Sequence, residues 1–237
     1  MVTKIIFPSW SAPKNIFALT TTKNFGDLSL LKKTFDLPFE PCWLQQVHGN
    51  AVVNLDHCQD KSPLTHNSYD GSYTSESNIA CVVRTADCLP ILICNKNGTE
   101  IAALHGGWRS LLANIIFNGV KLFQSHPKDL LVWLGPAISQ QHFEIGLEVK
   151  DLFTKQNKNF ENCFKPSPCP QSPPKFFADL YEIAKLQLYS LGMTNIYGGD
   201  YCTFANAKLF YSYRRAKDVG RMATIIMINS STFSAQR

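Results

Sequence analysis

The sequence predicts an α/β (α+β) fold in which layered, mixed β-sheets are flanked by helices. Short apolar runs rich in Val and Ile recur along the chain, and they alternate with segments whose apolar residues follow helical spacing. The chain has 237 residues, of which 45% are hydrophobic and 17% charged, so it is globular and able to bury one large core. No internal repeat is visible. We therefore expect a single domain over residues 1–237.

The N-terminal third is predicted to consist of short strands, one helix and a long loop. The helix should end before Pro38, and two of the strands should flank a turn at His48 and Gly49. The polar stretch 56–78 is rich in Ser, Asn, Asp and Gly, which predicts a long loop, and long loops in compact domains are often functional. The predicted bounds are strands at 2–7, 15–20, 41–47 and 51–55 and a helix at 27–36.

The rest of the chain alternates strands with helices. The sequence N-K-N-G between two of the strands indicates a hairpin turn. Residues 163–175 carry five prolines and are expected to be irregular, and one helix should end at Gly192. The predicted strands are 79–84, 89–94, 100–105, 130–134, 194–198 and 222–228, and the predicted helices are 108–123, 145–154 and 177–191.

Composition excludes several classes of protein. The net charge of +5 is mildly basic, and no block of about five like charges marks a nucleic-acid surface. No apolar stretch is long enough to span a membrane, and the N-terminus has no long apolar leader. The eight cysteines form no C-x-x-C pair, and Cys81 and Cys94 lie within apolar runs as small core residues. A cytoplasmic protein without membrane or nucleic-acid partners is expected.

Three residues at the ends of predicted strands form a candidate metal site. They are His48 in Q-V-H-G, Cys88 in T-A-D-C-L-P and His105 in H-G-G-W-R. Two imidazoles and one thiolate suit zinc, and three protein ligands leave a tetrahedral ion one open position, as in catalytic sites. Copper could replace zinc at such ligands. Taken singly, the three residues could equally be a turn histidine, a core thiol and a hydrogen-bonded strand end.

The segment H-G-G-W-R also predicts an anion site. Gly106 and Gly107 separate a strand from a helix and would let backbone approach a ligand. Arg109 lies in the first turn of that helix, where a cation opposes the helix dipole. This placement suggests a role in holding an anion, with a solvated side chain as an equal alternative. Arg84 could contribute to the same anion site.

Five motifs resemble those of the bacterial YfiH-type laccase-domain family. The motifs are Q-V-H-G (46–49), T-A-D-C-L-P (85–90), H-G-G-W-R (105–109), L-G-P-A-I (134–138) and Y-S-Y-R-R (211–215). Their order and spacing match along nearly the whole chain, together with F-E-I-G-L-E-V (143–149) and Gly220–Arg221. The family usually has H-A-G-W, so Gly106 is a departure from its pattern.

The resemblance implies a layered YfiH-like fold and one zinc bound by His48, Cys88 and His105. It also implies purine nucleoside chemistry with inorganic phosphate: phosphorolysis of adenosine, inosine, guanosine and methylthioadenosine, and deamination of adenosine. Members were once described as multicopper polyphenol oxidases. The six histidines of this chain include no H-x-H pair, which a multicopper cluster needs.

The two purine reactions need different groups. Deamination requires a carboxylate that carries a proton, and Asp87 beside Cys88 is the candidate, although a structural hydrogen bond is the simpler role for it. Phosphorolysis requires an anion cradle, for which Arg109, the Gly106–Gly107 backbone and Arg84 are candidates. Three alternatives stay open: a cysteine hydrolase with Cys88 as nucleophile and His105 as base, a copper-dependent polyphenol oxidase, and a non-catalytic metal- or nucleotide-binding module. The sequence leaves the oligomeric state undetermined.

Overall fold

The computed structural model describes residues 3–57, 64–168 and 172–230. Helices and strands are numbered here in chain order. The strands are β1 (Ile5–Ile6), β2 (Ile16–Thr21), β3 (Leu44–Gln45), β4 (Val52–Asn54), β5 (Leu64–Ser68), β6 (Gly71–Thr74), β7 (Ala80–Thr85), β8 (Leu89–Asn95), β9 (Ile101–Gly106), β10 (Leu130–Leu134), β11 (Glu144–Gly146), β12 (Phe164–Pro166), β13 (Lys175–Ala178), β14 (Asn195–Gly198) and β15 (Met222–Ile228).

The helices are fewer and mostly short. The α-helices are α1 (Leu31–Phe35), α2 (Trp108–Leu112), α3 (Ile115–Val120), α4 (Leu147–Gln156) and α5 (Leu180–Ser190). Short 3-10 helices lie at Lys23–Phe25, Leu28–Leu30, Leu55–His57, Pro127–Asp129, Gln140–His142 and Lys158–Cys163. Within the described ranges, no helix is both long and apolar enough to cross a bilayer.

Two β-sheets stacked face to face form the centre of the molecule. One has the strand order β14-β10-β8-β9-β6-β4 and the other β1-β2-β15-β7. The larger sheet is mixed, because β10 pairs with β14 in parallel and with β8 in antiparallel orientation. The smaller sheet is antiparallel. Successive side chains of β8 point to opposite faces of its sheet. Leu92 and Cys94 pack toward the second sheet, whereas Ile91 and Ile93 pack toward the helices.

Helices cover the outer faces of both sheets. Helices α2 to α5 pack on the larger sheet through a cluster that includes Leu111, Ile116 and Ile183. Leu31 of α1 packs on the outer face of the smaller sheet with Val82 and Ile225. The predicted fold class, layered mixed sheets flanked by helices, is confirmed by this arrangement.

The strands of the central hairpin and of the C-terminus were predicted well. Strands β8 and β9 pair in antiparallel register from Leu89 opposite Gly106 to Cys94 opposite Ile101. The intervening turn closes with hydrogen bonds from Asn95 N–H to Glu100 O (3.1 Å) and from Gly98 N–H to Asn95 O (3.0 Å), with Gly98 at φ +67°. Strands β2, β10, β14 and β15 also fall close to their predicted bounds, and Cys81 and Cys94 are buried as predicted.

Two segments predicted to lack regular structure contain strands. The stretch 56–78, predicted as a loop, includes β5 and β6, and β6 lies inside the larger sheet between β9 and β4. The pairing partners of β6 are distant in sequence, so its short G-S-Y-T run gives no local strand signal. The proline-rich stretch 163–175 contains β12 and the start of β13. Proline is tolerated there because Pro166 is the last residue of an edge strand, where no neighbouring strand needs its missing N–H.

The predicted helix 108–123 is interrupted at Asn114. That residue adopts the left-handed conformation (φ 63°), which Asn tolerates better than most residues. The break is held by Asn50, whose side chain donates to Ala113 O (2.7 Å) and whose carbonyl accepts from the Asn118 side chain (2.9 Å). The remaining helix α2 has five residues, so the dipole expected at its N-terminus is weak.

Several other predicted bounds differ from the structure. The helix predicted at 27–36 is a 3-10 turn followed by α1, and the predicted strands at 41–47 and 51–55 shorten to β3 and β4. The strand predicted at 2–7 shortens to β1, with residues 1 and 2 outside the described ranges. Helix α5 begins after β13, at an Asp179 cap that accepts from Glu182 N–H, and it ends before Gly192 (φ +81°) as predicted.

Candidate metal centre and cationic cavity

The fold brings His48, Cys88 and His105 together at one end of the larger sheet. Cys88 directly precedes β8 and His105 lies near the end of β9, and these strands are neighbours with Pro90 opposite His105. His48 reaches the same place from the loop between β3 and β4, where its backbone is left-handed (φ 61°). One potential ligand atom from each of the three residues lies within 4.8 Å of the others, so the group could hold a single metal ion.

The geometry within this group is close. The Cys88 Sγ and His48 Nε2 atoms are 3.7 Å apart. The two imidazole rings meet edge to face, with ring centroids 4.8 Å apart. His105 is buried, Cys88 is half-buried and His48 is exposed, so the group has one open side toward solvent.

A buried carboxylate that the sequence analysis missed holds two of these residues. Asp70 precedes β6, and its oxygens accept from the backbone N–H groups of His48 (2.9 Å), Gly49 (2.6 Å) and Val47 (3.2 Å). The same carboxylate lies 2.7 Å from His105 Nδ1. A proton on Nδ1 shared with Asp70 leaves His105 Nε2 as the ligand nitrogen, an arrangement common in metal sites.

Electrostatics favour the thiolate form of Cys88. Burial raises the pKa of the thiol, but the adjacent His105 and His48 imidazoles lower it more strongly, to about 6. Burial lowers the pKa of His105, yet the Cys88 thiolate and Asp70 together raise it to about 9. Burial also raises the pKa of Asp70, but hydrogen bonds from His105 and Gly49 hold it below its usual range. A ligand atom must be unprotonated, so metal binding would release the proton on His105 Nε2 while the proton on Nδ1 stays shared with Asp70.

The two glycines after His105 are needed because neighbouring atoms leave no room for a side chain at either position. A Cβ at Gly107 would lie 2.9 Å from His48 Cδ2 and 3.3 Å from Cys88 Sγ, so any side chain there would push the three residues apart. Gly106 is the last residue of β9, and a Cβ there would lie 2.8 Å from Leu89 O. The prediction that Gly106 lies between the strand and the helix is therefore wrong, because this residue is part of the sheet.

Asp87 lies beside the group, but its carboxylate is occupied. It accepts from Thr203 Oγ1 (2.6 Å), Ser212 Oγ (3.0 Å) and the Arg214 N–H (2.7 Å). Its backbone has φ 91°, a conformation rare outside glycine. These contacts agree with the structural role considered for Asp87 and tie the segment after residue 202 to the residue next to Cys88.

A cavity of about 790 Å³ opens over the three residues, and its lining is strongly cationic. It is lined by four arginines: Arg84, Arg109, Arg214 and Arg221. Among the described lining residues the one carboxylate is Asp87, whose charge is already shared with three donors. The cavity therefore favours an anionic ligand.

The four arginines differ in how far their donors are used. Arg84 donates to Leu44 O (3.1 Å), Arg214 to Glu144 O (2.9 Å) and Arg221 to Val219 O (2.6 Å). The Arg109 guanidinium stacks on Trp108, 4.2 Å from the ring centroid, and no acceptor in the described part of the chain takes its protons. Arg109 is thus oriented by stacking while its donor fork stays available.

The structure brings most, but not all, of the predicted site residues together. His48, Cys88, His105, Asp87, Arg84 and Arg109 all line one cavity. Gly107 touches the three candidate ligands, whereas Gly106 is buried in the sheet. Asp70, Arg214, Arg221 and Tyr213 were not predicted, although the last three lie in or next to the motif Y-S-Y-R-R and the pair Gly220–Arg221.

Comparison with known proteins assigns the family. Residues 26–229 match the family model described as multi-copper polyphenol oxidoreductase laccase. The purine nucleoside phosphorylase YfiH of Escherichia coli is 36% identical over 252 residues, covering 96% of this chain and 100% of the relative. The chain belongs to the YfiH-type laccase-domain family. The resemblance identified in the sequence is thereby confirmed.

Other members of the laccase-domain family agree with this assignment. The purine nucleoside phosphorylase of Haemophilus influenzae is 37% identical over 245 residues and covers 93% of this chain and 98% of its own length. The crystal structure of the Neisseria meningitidis protein NMB0706 superposes with a TM-score of 0.86 at 32% identity, covering 96% of this chain and 100% of that protein.

Proposed function

We propose that this chain is a zinc-dependent purine nucleoside enzyme that cleaves adenosine, inosine, guanosine and methylthioadenosine with inorganic phosphate and also deaminates adenosine. The observation that carries the proposal is a His/Cys/His group at the wall of a cavity lined by four arginines. The names of the Escherichia coli and Haemophilus influenzae relatives supply the purine nucleoside and phosphate.

The residues present suit a zinc ion. His48 Nε2, the Cys88 thiolate and His105 Nε2 are nitrogen and sulfur donors of the type zinc prefers, and copper is the expected substitute. Zinc bound there would act as a Lewis acid toward a substrate oxygen or a water molecule. The Asp70 carboxylate would keep the His105 ring and the His48 loop in place while substrate binds.

The cationic cavity favours phosphorolysis as the main reaction. Phosphate attacks C1′ of the ribose, the bond from C1′ to the purine nitrogen breaks, and ribose 1-phosphate and the base are released. Arg109 would hold the phosphate through its free donor fork, and Arg84 would add positive charge at the same wall. Asp87 contributes by fixing the segment that carries Arg214.

The proposal can be tested on the purified full-length chain. Zinc content should approach one ion per chain, and adenosine should yield adenine only when phosphate is added, with inosine as the deamination product in its absence. Metal analysis and chromatography of the products measure both. Protein that carries stoichiometric zinc yet leaves every purine nucleoside unchanged would contradict the proposal.

Replacing Arg109 with alanine should weaken the dependence on phosphate. We expect the KM for phosphate to rise at least about tenfold, since a charge-assisted hydrogen bond is worth about 1.5–3 kcal/mol. Zinc content should stay unchanged, because Arg109 is not a ligand. The exposed Lys155 on α4 offers a control cation, and Lys155→Ala should leave the phosphate KM unaltered. Zinc loss in Arg109→Ala, or an unchanged phosphate KM, would show that the assignment is wrong.

One observation favours a second candidate function. Cys88, His105 and Asp70 follow one another as thiolate, imidazole and carboxylate, which is also the order of a cysteine hydrolase triad. A copper oxidase has less support, because within the described residues the His/Cys/His group is the one cluster able to hold a metal. The Cys88 variant in the Discussion separates the first of these from the proposed function.

A further inference from the structure

An exposed tyrosine lies at the wall of the cavity. Tyr213 lines the same space as His48, Cys88 and His105, and 50% of its surface is accessible. Large aromatic side chains are usually covered by packing, so a half-exposed ring inside a ligand cavity leaves a face for a ligand to cover.

The backbone around Tyr213 is firmly held. On one side Ser212 donates its hydroxyl to Asp87, and on the other the Arg214 N–H donates to the same carboxylate. The Arg215 guanidinium donates to the carbonyls of Thr203 (3.0 Å), Phe204 (2.7 Å) and Phe210 (2.7 Å). Tyr213 is therefore presented on an ordered segment attached next to Cys88, which lowers the entropic cost of using it as a contact surface.

The other aromatic rings of the cavity are less available. Trp108 and Phe143 are partly buried against the core, and guanidinium groups lie over them at 4.2 Å (Arg109) and 5.3 Å (Arg214). The Arg221 guanidinium lies 5.9 Å from the Tyr213 ring centroid, at the outer limit of a cation–π contact. Tyr213 thus combines the greatest exposure with a nearby cation that would also attract an electron-rich base.

We propose that Tyr213 is the surface on which the purine base of the substrate stacks, which makes it a specificity-determining residue of this site. The assignment rests on the proposed function for the identity of the ligand. It places the base against the segment 212–215 and leaves the phosphate to Arg109. A planar heteroaromatic ring is favoured over a sugar alone, because only the ring offers a face to the tyrosine.

The test is binding and turnover of adenosine by the full-length protein with its metal content as purified. In Tyr213→Ala the dissociation constant measured by calorimetry should rise at least about fivefold, the lower end of what loss of one base–aromatic stack costs. The KM for adenosine should rise similarly, while the KM for phosphate stays within about twofold. In Tyr213→Phe both values for adenosine should remain near wild type, since the ring is retained.

Tyr189 provides a matched control. It is also 50% exposed but lies on α5, and it is not among the residues that line the cavity. Tyr189→Ala should bind adenosine as the wild type does. Adenosine binding that is unchanged in Tyr213→Ala, or equally weakened in Tyr213→Phe, would overturn the stacking role while leaving the proposed function in place. Wild-type protein that neither binds nor converts adenosine would overturn the proposed function, and this assignment with it.

Discussion

Replacing Cys88 with alanine should remove most of the zinc from the protein. Two imidazoles would remain, and the thiolate that offsets the charge of the ion would be lost. We expect zinc affinity to fall by more than about 100-fold, the upper end of the effect of removing an outer-shell partner. Competition with a chromophoric chelator measures the affinity, and purine release from nucleosides should fall with it.

The fold should survive this change, because Cys88 is half-buried and precedes β8 rather than filling the core. Cys202 is a matched control, since it is half-buried as well and its sulfur contacts Ser139 Oγ (3.1 Å) instead of the histidines. Cys202→Ala should keep its zinc. Circular dichroism checks folding in both variants. Zinc retained in Cys88→Ala together with lost activity would favour the cysteine hydrolase.

Replacing Asp70 with asparagine should weaken zinc binding by about 10- to 100-fold, although Asp70 is not itself a ligand. The carboxylate accepts from three backbone N–H groups and faces His105 Nδ1. The asparagine amide has only one acceptor oxygen, and its NH₂ group would face hydrogen-bond donors that it cannot accept from. Buried donors left without acceptors cost about 1–3 kcal/mol each. The His48 loop and the His105 ring should both shift.

Asp56 offers the control for this variant. Its carboxylate accepts from the Ser75 N–H (3.0 Å) and the Ser75 hydroxyl (2.7 Å) just beyond β6, with no contact to either histidine. Asp56→Asn should lower the melting temperature of the metal-free protein but leave zinc affinity unchanged. The comparison separates a positioning role from general stabilisation. Equal zinc affinity in Asp70→Asn and the wild type would exclude the positioning role.

The candidate ligands could be predicted from the sequence because the strands and turns beside them are recognisable from short stretches of sequence. His105 and Cys88 flank a hairpin whose turn sequence and apolar strands are readable over a short window, and His48 follows a short apolar run. Adjacent strands of one hairpin meet at a common end, so Cys88 and His105 could be placed near each other before the structure was known.

Asp70 could not be found in this way. It lies in a polar stretch whose composition predicts a loop, and strand β6 forms there because β9 and β4 pair with it from distant positions. Arg214, Arg221 and Tyr213 were missed for a similar reason. Tyr213 and Arg214 reach the cavity because Ser212 and the Arg214 N–H bond to Asp87, more than a hundred residues away in sequence. Arg221 reaches it because it directly precedes β15, whose Met222 pairs with Thr85 of β7.

The breaks in predicted elements have the same physical origin. Apolar spacing over 108–123 is helical, yet the side chain of Asn50 holds Ala113 and the carbonyl of Asn50 accepts from Asn118. A tertiary hydrogen-bond pair thereby outweighs a local helical preference at Asn114. Periodicity cannot report such a contact, because the partner lies on the loop that carries His48.

The bonds of Asp70 imply that the metal centre is preorganised by folding. A single carboxylate ties the His48 loop to His105, so hydrogen bonds within the chain itself hold both imidazoles near Cys88. An incoming ion then has little rearrangement to drive, and its affinity becomes linked to the local stability of β6 rather than to the three ligands alone. Substitutions that loosen the start of this strand, next to Asp70, would lower metal affinity before they cause a measurable loss of fold.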